Sequence, residues 1–269
     1  MTTLELIRKR RSVRSFDGEA LSLETRQELL RFAEKLENPW DIPIQWKLLD
    51  AKQHGLSSPV IVGTELYMAG KLRRGPHAEE AFGYSFEKVL LFAQSLGLGG
   101  TWIAGTMNRS AFEQAMRVSE GEVMPCVSPL GRPAEKMSLR ESLMRKGVKA
   151  DSRMDFEQLF FDGGFDKPLS PQAAGALAEA LEAVRLGPSA VNRQPWRVLL
   201  REGFAHFYEK RSKGMNSGTG DVQRVDLGIA LCHFELAARE GGLSPVFRLS
   251  DPGIPTEAYT QYIASYQIQ

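Results

Sequence analysis

The fold is decided by two similar stretches, Phe16-Asp17-Gly18-Glu19-Ala20-Leu21-Ser22 and Phe165-Asp166-Lys167-Pro168-Leu169-Ser170, which lie slightly more than half the chain apart. Each stretch is followed by apolar residues at helical spacing, and Ser22 and Ser170 are the predicted N-caps of the two helices. A repeat of this kind indicates an internal duplication. The alternative is a chance similarity between short helix-strand-helix segments.

Two further features repeat at nearly the same spacing. Trp46 and Trp196 each begin a run with the character of a β-strand, and two apolar helices are predicted to end before Gly97 and Gly241. We therefore predict two homologous halves, residues 1–150 and 151–269. The charged segment from about residue 140 to 155 is predicted to link them, and residues 210–220 are predicted to form a loop that is either simply exposed or borders a binding cleft.

The composition excludes several classes of protein. The chain has 269 residues, with 34 Lys plus Arg against 33 Asp plus Glu, so its net charge of +1 selects neither nucleic acid nor an acidic membrane. No stretch approaches the roughly 18 apolar residues that would span a bilayer. Cys126 and Cys232 lie far apart and form no CxxC motif. We expect a cytoplasmic protein with no nucleic-acid partner, no membrane partner and no metal.

The first motif is a dense basic cluster, Arg8-Lys9-Arg10-Arg11-Ser12-Val13-Arg14. Guanidinium groups bind phosphate through paired hydrogen bonds, so the cluster suits a phosphate. In an extended segment Arg10, Ser12 and Arg14 point to one side, whereas Arg11, Val13 and Ser15 point to the other. The alternative is a solvated basic face or a weak nucleic-acid patch.

Two more motifs suit a planar ligand. The turn from Leu186 to Trp196 places the carboxamides of Asn192 and Gln194 on one face, and their donors and acceptors match the mixed edge of a flavin pyrimidine. The glycine-rich segment from Gly97 to Gly105 allows close backbone approach, but it lacks the order of a dinucleotide fingerprint. The alternatives are an ordinary hydrogen-bonded turn and a helix C-cap.

Together these segments resemble the FMN-dependent nitroreductase family, whose members carry Arg-Arg-Ser-x-Arg-x-Phe, Pro-Ser-x-x-Asn-x-Gln-Pro-Trp and Gly-Leu-Gly-x-x-Trp motifs. Residues 128–136 also resemble a family stretch, although Arg132 replaces its usual aromatic residue. Here the first half has the arginine and glycine motifs, and the second half has only the turn. The chain thus resembles the fused, pseudo-dimeric branch. The resemblance implies an α+β fold in which mainly antiparallel sheets flanked by helices form an intramolecular pseudo-dimer.

The resemblance also implies one FMN site, built from both halves of a monomer. Its predicted cofactor-binding residues are Arg10, Arg11, Ser12, Arg14, Thr101, Ala104, Gly105, Arg153, Pro188, Ser189, Asn192 and Gln194. NAD(P)H and then a small nitroaromatic or quinone-like acceptor would use the same face of the flavin in a ping-pong mechanism. Because a flavin carries the electron chemistry itself, no catalytic residue is predicted. The alternatives are a flavin-binding sensor or carrier without turnover, and a basic-patch interaction protein without flavin.

Overall fold

The structure, a computed structural model, describes residues 1–212, 216–217 and 220–269. The helices are α1 (Thr3–Lys9), α2 (Leu23–Glu34), α3 (Ala51–His54), α4 (Ala78–Ser95), α5 (Arg109–Met116), α6 (Leu139–Gly147), α7 (Phe156–Leu159), α8 (Ala178–Arg185) and α9 (Val222–Glu240). The strands are β1 (Gln45–Asp50), β2 (Leu66–Arg73), β3 (Glu122–Val123), β4 (Val127–Leu130), β5 (Phe160–Asp162), β6 (Trp196–Arg201), β7 (Phe204–Lys210), β8 (Asn216–Ser217), β9 (Gly220–Asp221), β10 (Pro245–Arg248) and β11 (Thr260–Ile268).

The strands form two larger sheets and one short pair. In the first sheet the central strand β2 pairs antiparallel with β1, β3 and β4. The second sheet has the order β10-β11-β7-β6-β5, in which only the β5–β6 pair is parallel. β8 and β9 form the separate antiparallel pair. The prediction of an α+β fold with mainly antiparallel sheets and flanking helices is confirmed.

The two long helices α4 and α9 pack against each other between the sheets, and a glycine in each helix permits the close contact. A Cβ atom on Gly83 would lie 2.0 Å from the carbonyl oxygen of Val225, and one on Gly228 would lie 2.1 Å from that of Glu80. The backbones therefore approach more closely than any side chain would allow. This contact fixes α9 relative to the first half.

The hydrophobic core is divided into clusters that cross the boundary between the predicted halves. One cluster combines apolar residues of the second sheet and of α8 and α9 with Leu4 and Ile7 of α1. The backbone N–H of Thr3 also donates to the carboxylate of Glu240, at 2.7 and 3.0 Å from its two oxygens. The N-terminal helix is therefore packed on the second half of the chain.

The two predicted N-caps differ in outcome. Ser22 caps α2, because its Oγ accepts a hydrogen bond from the backbone N–H of Thr25 at 3.1 Å. Ser170 accepts from the N–H of Ala173 at 3.2 Å, but the regular helix begins only at Ala178, after a short 3-10 turn. Gly175 has a φ of 55°, outside the right-handed helical region, and this delays the helix.

The segment predicted to link the halves contains α6, a helix that the sequence did not predict. Ser138 caps α6 by accepting from the N–H of Glu141 at 3.2 Å, and Glu141 is almost fully buried. Its carboxylate accepts from Arg11 and from the backbone N–H of Arg14. These bonds hold α6 against the first half, although the sequence of α6 is charged and typical of a loop. Of the predicted 210–220 loop, residues 213–215 and 218–219 lie outside the described residues.

Candidate functional site

A cavity of about 260 Å³ lies between segments of the first and second halves. The sequence-predicted residues that line it are Arg10, Ser12, Arg14, Thr101, Ala104, Gly105, Arg153, Pro188, Ser189 and Asn192. The structure therefore brings the basic cluster, the end of the glycine-rich segment and the carboxamide turn to one place. Arg11 and Gln194, which were predicted with them, do not line this cavity.

An extended segment directs alternate side chains of the basic cluster into the cavity. Ser12 forms a parallel bridge with Gly100, and the N–H of Val13 donates to the carbonyl of Gly100 at 2.9 Å. Val13 is buried against Gly99, where any Cβ atom would lie 2.7 Å from its side chain. Arg11, on the same side as Val13, forms an ion pair with Glu141 at 2.9 Å. The predicted alternation is thus observed along this segment.

The cavity has a cationic end at which arginine side chains face one another. Burial lowers the pKa of Arg10, with Glu87 opposing the change and Arg145 adding to it. Burial also lowers the pKa of Arg14, again with a contribution from Arg145. The pKa of Arg153 falls to about 10 through burial and the nearby charge of Arg10. These positive charges lie close enough to destabilise one another, so an anion bound here would relieve the repulsion.

Two of these arginines keep an unused donor inside the protein. The Nε atoms of Arg10 and Arg153 are buried and have no hydrogen-bond partner among the residues that the structure describes. Buried donors without partners are costly, and they are commonly completed by a ligand or water. A smaller cavity of about 180 Å³ adjoins this end and is bordered by both arginines and by Arg145.

The carboxamide turn on the opposite side has a strained backbone. Val191, Asn192 and Gln194 have φ values of 45°, 58° and 50°, in the left-handed region that β-branched residues such as Val191 rarely adopt. Such strain occurs where the surrounding structure fixes the backbone, often at functional sites. Here Ser189 Oγ accepts from the N–H of Gln194 at 2.9 Å, and the Asp226 carboxylate accepts from the N–H of Ala190.

The two carboxamides of the turn have different environments. Asn192 lines the cavity, and its Nδ2 donates to the carbonyl of Lys149 at 2.8 Å while its Oδ1 accepts from Arg153 at 3.4 Å. Gln194 is buried behind the turn, where its Oε1 accepts from the N–H of Met154 at 2.8 Å. The two carboxamides meet, with Gln194 Nε2 donating to Asn192 Oδ1 at 3.4 Å, but the left-handed turn directs Gln194 inward and only Asn192 lines the cavity.

Sequence reasoning missed part of the lining. The additional residues come from the glycine-rich segment and β4 region, from α6 and the residues after it, and from α9; they include Trp102, Cys126, Met144, Val148, Val222, Val225, Asp226 and Ile229. The α6 residues were missed because their segment was interpreted as a link. Asp226 did carry a signal, since it is an acidic residue within the apolar run Val225-Asp226-Leu227-Gly228-Ile229.

A buried polar network joins α4 and α9 behind the cavity. His233 lies between the carbonyl of Ala183, at 2.8 Å from Nδ1, and the Glu87 carboxylate, at 2.9 Å from Nε2. Glu87 also accepts from Trp102 Nε1 at 3.0 Å. Burial raises the pKa of Glu87, but His233 and then Arg10 bring it below its ordinary value. The network thus fixes Trp102 and supplies a negative charge near Arg10.

Residues 2–238 match a family model described as "Putative TM nitroreductase". The chain belongs to this nitroreductase family. Comparison with curated protein sequences gives no match.

One solved structure resembles this chain in fold over nearly its whole length, and two others match about half of it. A "putative nitroreductase" from Thermotoga maritima MSB8 is 21% identical with a TM-score of 0.63, and the match covers 99% of this chain and 92% of that chain. A "Putative NADH dehydrogenase/NAD(P)H nitroreductase" from Bacteroides thetaiotaomicron VPI-5482 is 20% identical with a TM-score of 0.43, over 51% of this chain and 89% of that one. An "FMN-dependent Nitroreductase" from Clostridium difficile R20291 is 16% identical with a TM-score of 0.41, over 52% and 94%.

Among the described residues, no group of three or more His, Cys, Asp or Glu side chains is arranged to bind a metal ion. In the same part of the chain, no helix is both long and apolar enough to cross a membrane. Cys126 and Cys232 are free and buried.

Proposed function

We propose that this chain binds one FMN in the cavity between its halves and uses it to reduce small nitroaromatic or quinone-like acceptors with NAD(P)H by a ping-pong mechanism. The proposal depends above all on one observation: motif residues from two distant parts of the chain line a single cavity with a cationic end. We further propose that the halves are residues 1–150 and 151–269, and that the chain acts as a monomer in the cytoplasm.

The residues present fit an FMN phosphate. Arg10, Arg14 and Arg153 line the same cavity, and Arg10 and Arg153 each retain a buried Nε without a partner among the described residues. A phosphate can accept several charge-assisted hydrogen bonds and would offset the mutual repulsion of these guanidinium groups. Arg145, which lowers the pKa of all three, would add to the attraction from the adjoining cavity.

The opposite part of the cavity fits the flavin ring. The backbone N–H groups of Ala104 and Gly105 donate to no acceptor among the described residues, and both residues border the cavity. They would donate to the ring, where such donors stabilise negative charge as in an oxyanion hole. Pro188, Ser189 and Asn192 would contact the ring from the second half. When bound, FMN supplies the hydride and electron transfer, and these residues bind and orient it.

Flavin binding is the first test. The purified protein, stripped of any bound flavin, is titrated with FMN, FAD and riboflavin while flavin fluorescence is followed. We expect tightest binding of FMN, because the arginines match one terminal phosphate and the sequence has no adenosine-binding fingerprint. Absence of binding for all three would overturn the proposal.

Turnover is tested separately with the FMN-loaded protein. Oxidation of NADH and of NADPH is followed with p-benzoquinone and with a nitroaromatic compound as acceptors. We expect acceptor-dependent oxidation with the parallel-line kinetics of a ping-pong mechanism. A protein that binds FMN but oxidises neither nicotinamide would instead be a flavin-binding sensor or carrier.

A further inference from the structure

Asp226 is a buried carboxyl group on the wall of the cavity. It lies on α9, it is 4% exposed, and it borders the cavity together with the apolar residues Val222, Val225 and Ile229 of the same helix. Cys126 lines the cavity as well, and burial raises the pKa of its thiol to about 12. This part of the cavity is therefore apolar apart from the carboxyl and a protonated thiol.

The position of the carboxyl group is fixed by the strained turn. Both oxygens of Asp226 lie within hydrogen-bond distance of the backbone N–H of Ala190, at 3.1 and 3.0 Å. Ala190 directly precedes Val191, the first left-handed residue of the turn. Because one N–H satisfies only part of the acceptor capacity of a carboxylate, the group retains an oxygen that can carry a proton.

The charged groups around Asp226 favour its protonated form. Burial raises its pKa well above the ordinary value, the Ala190 N–H opposes this, and the negative charges of Asp221 and Glu209 add to it. The nearby cation on α9, Arg224, forms ion pairs with Glu209 at 2.9 Å and with Glu80 at 2.8 Å.

The remaining charged groups belong to other segments. Arg10, Arg14 and Arg153 line the same cavity from the first half and from the segment before α7. Arg109 is near Cys126, and its guanidinium donates to the carbonyls of Ala104 and Met124. Burial and these acidic neighbours both raise the pKa of Asp226 and favour its protonated form.

We propose that Asp226 is the acid that donates a proton to the oxygen of a quinone-like acceptor in this cavity. The inference rests on the proposed function. Reduction of a quinone to a hydroquinone takes up one hydride and one proton. The hydride comes from NAD(P)H by way of the flavin, the O–H bond of Asp226 breaks, and a new O–H bond forms on the acceptor. Asp226 regains its proton from solvent after the product leaves.

The variant Asp226→Asn distinguishes proton donation by Asp226 from a purely structural role in holding the turn. Asparagine keeps an oxygen that accepts from the Ala190 N–H, but it has no proton to transfer. The FMN-loaded protein is photoreduced and mixed rapidly with p-benzoquinone or with ferricyanide, which takes up an electron without a proton. We expect reoxidation by benzoquinone to slow by about 100-fold or more, the usual contribution of a general acid. Reoxidation by ferricyanide should be unchanged.

Asp50→Asn is the matched control. Asp50 caps α3 by accepting from the N–H of Gln53 at 3.0 Å, and it is neither among the residues that line the cavity nor among the charges that shift the pKa of Asp226. This variant should reoxidise with both acceptors at the wild-type rate. Equal slowing of Asp226→Asn with both acceptors would overturn the proposal and assign Asp226 to support of the turn.

A second readout needs no flavin and no turnover. The infrared difference spectrum between wild-type and Asp226→Asn apoprotein at neutral pH should contain the C=O stretching band of a protonated carboxyl group, and its absence would overturn the proposal.

If Asp226→Asn does not fold, the pH dependence of reoxidation in the wild-type protein tests the proposal. Reoxidation by benzoquinone should slow as pH rises through the pKa of Asp226, with ferricyanide unaffected, and a flat benzoquinone profile would contradict us. A wild-type protein that binds no FMN would refute the proposed function instead.

Discussion

Arg10 and Arg14 reach the cavity because they alternate with a buried valine along an extended segment, whereas Arg11 turns to Glu141. We expect Arg10→Ala and Arg14→Ala each to weaken FMN binding by about 1.5–3 kcal/mol, the value of a hydrogen bond to a charged group. Riboflavin, which lacks the phosphate, should bind each variant as it binds the wild type. Fluorescence titration with both flavins measures the difference.

Arg11→Ala is the comparison for this prediction. It removes the ion pair with Glu141 that helps to anchor α6, but no guanidinium from the cavity lining. FMN affinity should therefore change less in this variant than in the other two. Equal losses in all three variants would mean that the cluster acts only through its total charge.

Asp226 should also make the stability of the apoprotein depend on pH. Its folded-state pKa lies above the ordinary value, so the unfolded chain ionises first and stability falls as pH rises from the unfolded to the folded pKa. The loss is about 1.4 kcal/mol for every pH unit between the two values. In urea unfolding, the free energy of unfolding of Asp226→Asn should rise relative to that of the wild type as pH increases between these two pKa values. At more acidic pH the difference between the two proteins should not change.

Glu87→Gln should behave in the opposite way. The folded-state pKa of Glu87 is below its ordinary value of 4.5, so its ionisation stabilises the fold above that value and is lost as pH falls through the folded pKa. The variant should be less stable than the wild type at neutral pH, and the difference should shrink in acid. The same sign of change in both variants would contradict the charge states assigned here.

Residue patterns in the sequence predicted ten of the lining residues, because short motifs report local backbone requirements such as alternation and tight turns. The same patterns predicted Gln194 and Asn192 on one face. The two side chains do meet, but no pattern reveals the left-handed backbone that leaves only Asn192 at the cavity. Asp226 could be seen as unusual in an apolar helix, but only the packing of α9 against the turn places it at the cavity.

At the scale of elements, the site depends on the close contact of α4 with α9. Gly83→Ala and Gly228→Ala would each place a methyl group about 2 Å from a backbone oxygen of the other helix. We expect each variant to lose 1–3 kcal/mol of unfolding free energy or more, roughly the cost of overpacking. FMN affinity should fall too, because α9 carries the lining residues Val225 and Asp226. Urea unfolding and flavin titration measure the two effects.

Gly147→Ala is the control for the glycine variants. Gly147 is the last residue of α6, and an added Cβ would meet no heavy atom within 4 Å. Alanine is the better helix former by about 1 kcal/mol, so this variant should be as stable as the wild type or slightly more stable. A comparable loss in all three variants would show that close helix packing is not the cause.

Long apolar helices and the strands after Trp46 and Trp196 were predictable, because their periodicity and boundary residues are strong local signals. α6 was not, because its sequence is charged and its stability comes from a distant contact, the burial of Glu141 against Arg11 and the backbone of Arg14. The late start of α8 likewise depends on one glycine conformation that the apolar spacing does not show.

At the scale of the whole molecule, an aromatic cluster occupies the place that a second site would need. Trp40 precedes Trp46 by the same number of residues as Ala190 precedes Trp196, so it lies where the first half would have its own turn. Its ring stacks on His77 at 5.8 Å, and it also contacts Phe247 edge-on at 4.9 Å. Large side chains fill this place, and we infer that it does not bind flavin.

We therefore expect one FMN per chain, bound by a monomer. Both walls of the cavity come from the same chain, so no second copy is needed to complete it. Flavin released by denaturation is counted against protein, and light scattering gives the mass of the FMN-loaded species. Two flavins per chain, or binding that appears only in a dimer, would contradict this prediction.

The packing of α1 has a consequence for the order in which the cavity is completed during folding. Leu4 and Ile7 pack on α8 and α9, which lie far along the chain. Contacts between residues so distant in sequence slow folding, so we expect α1 to dock late. Arg10 directly follows α1 and lines the cavity, and the cationic end of the cavity is therefore complete only after α8 and α9 have folded.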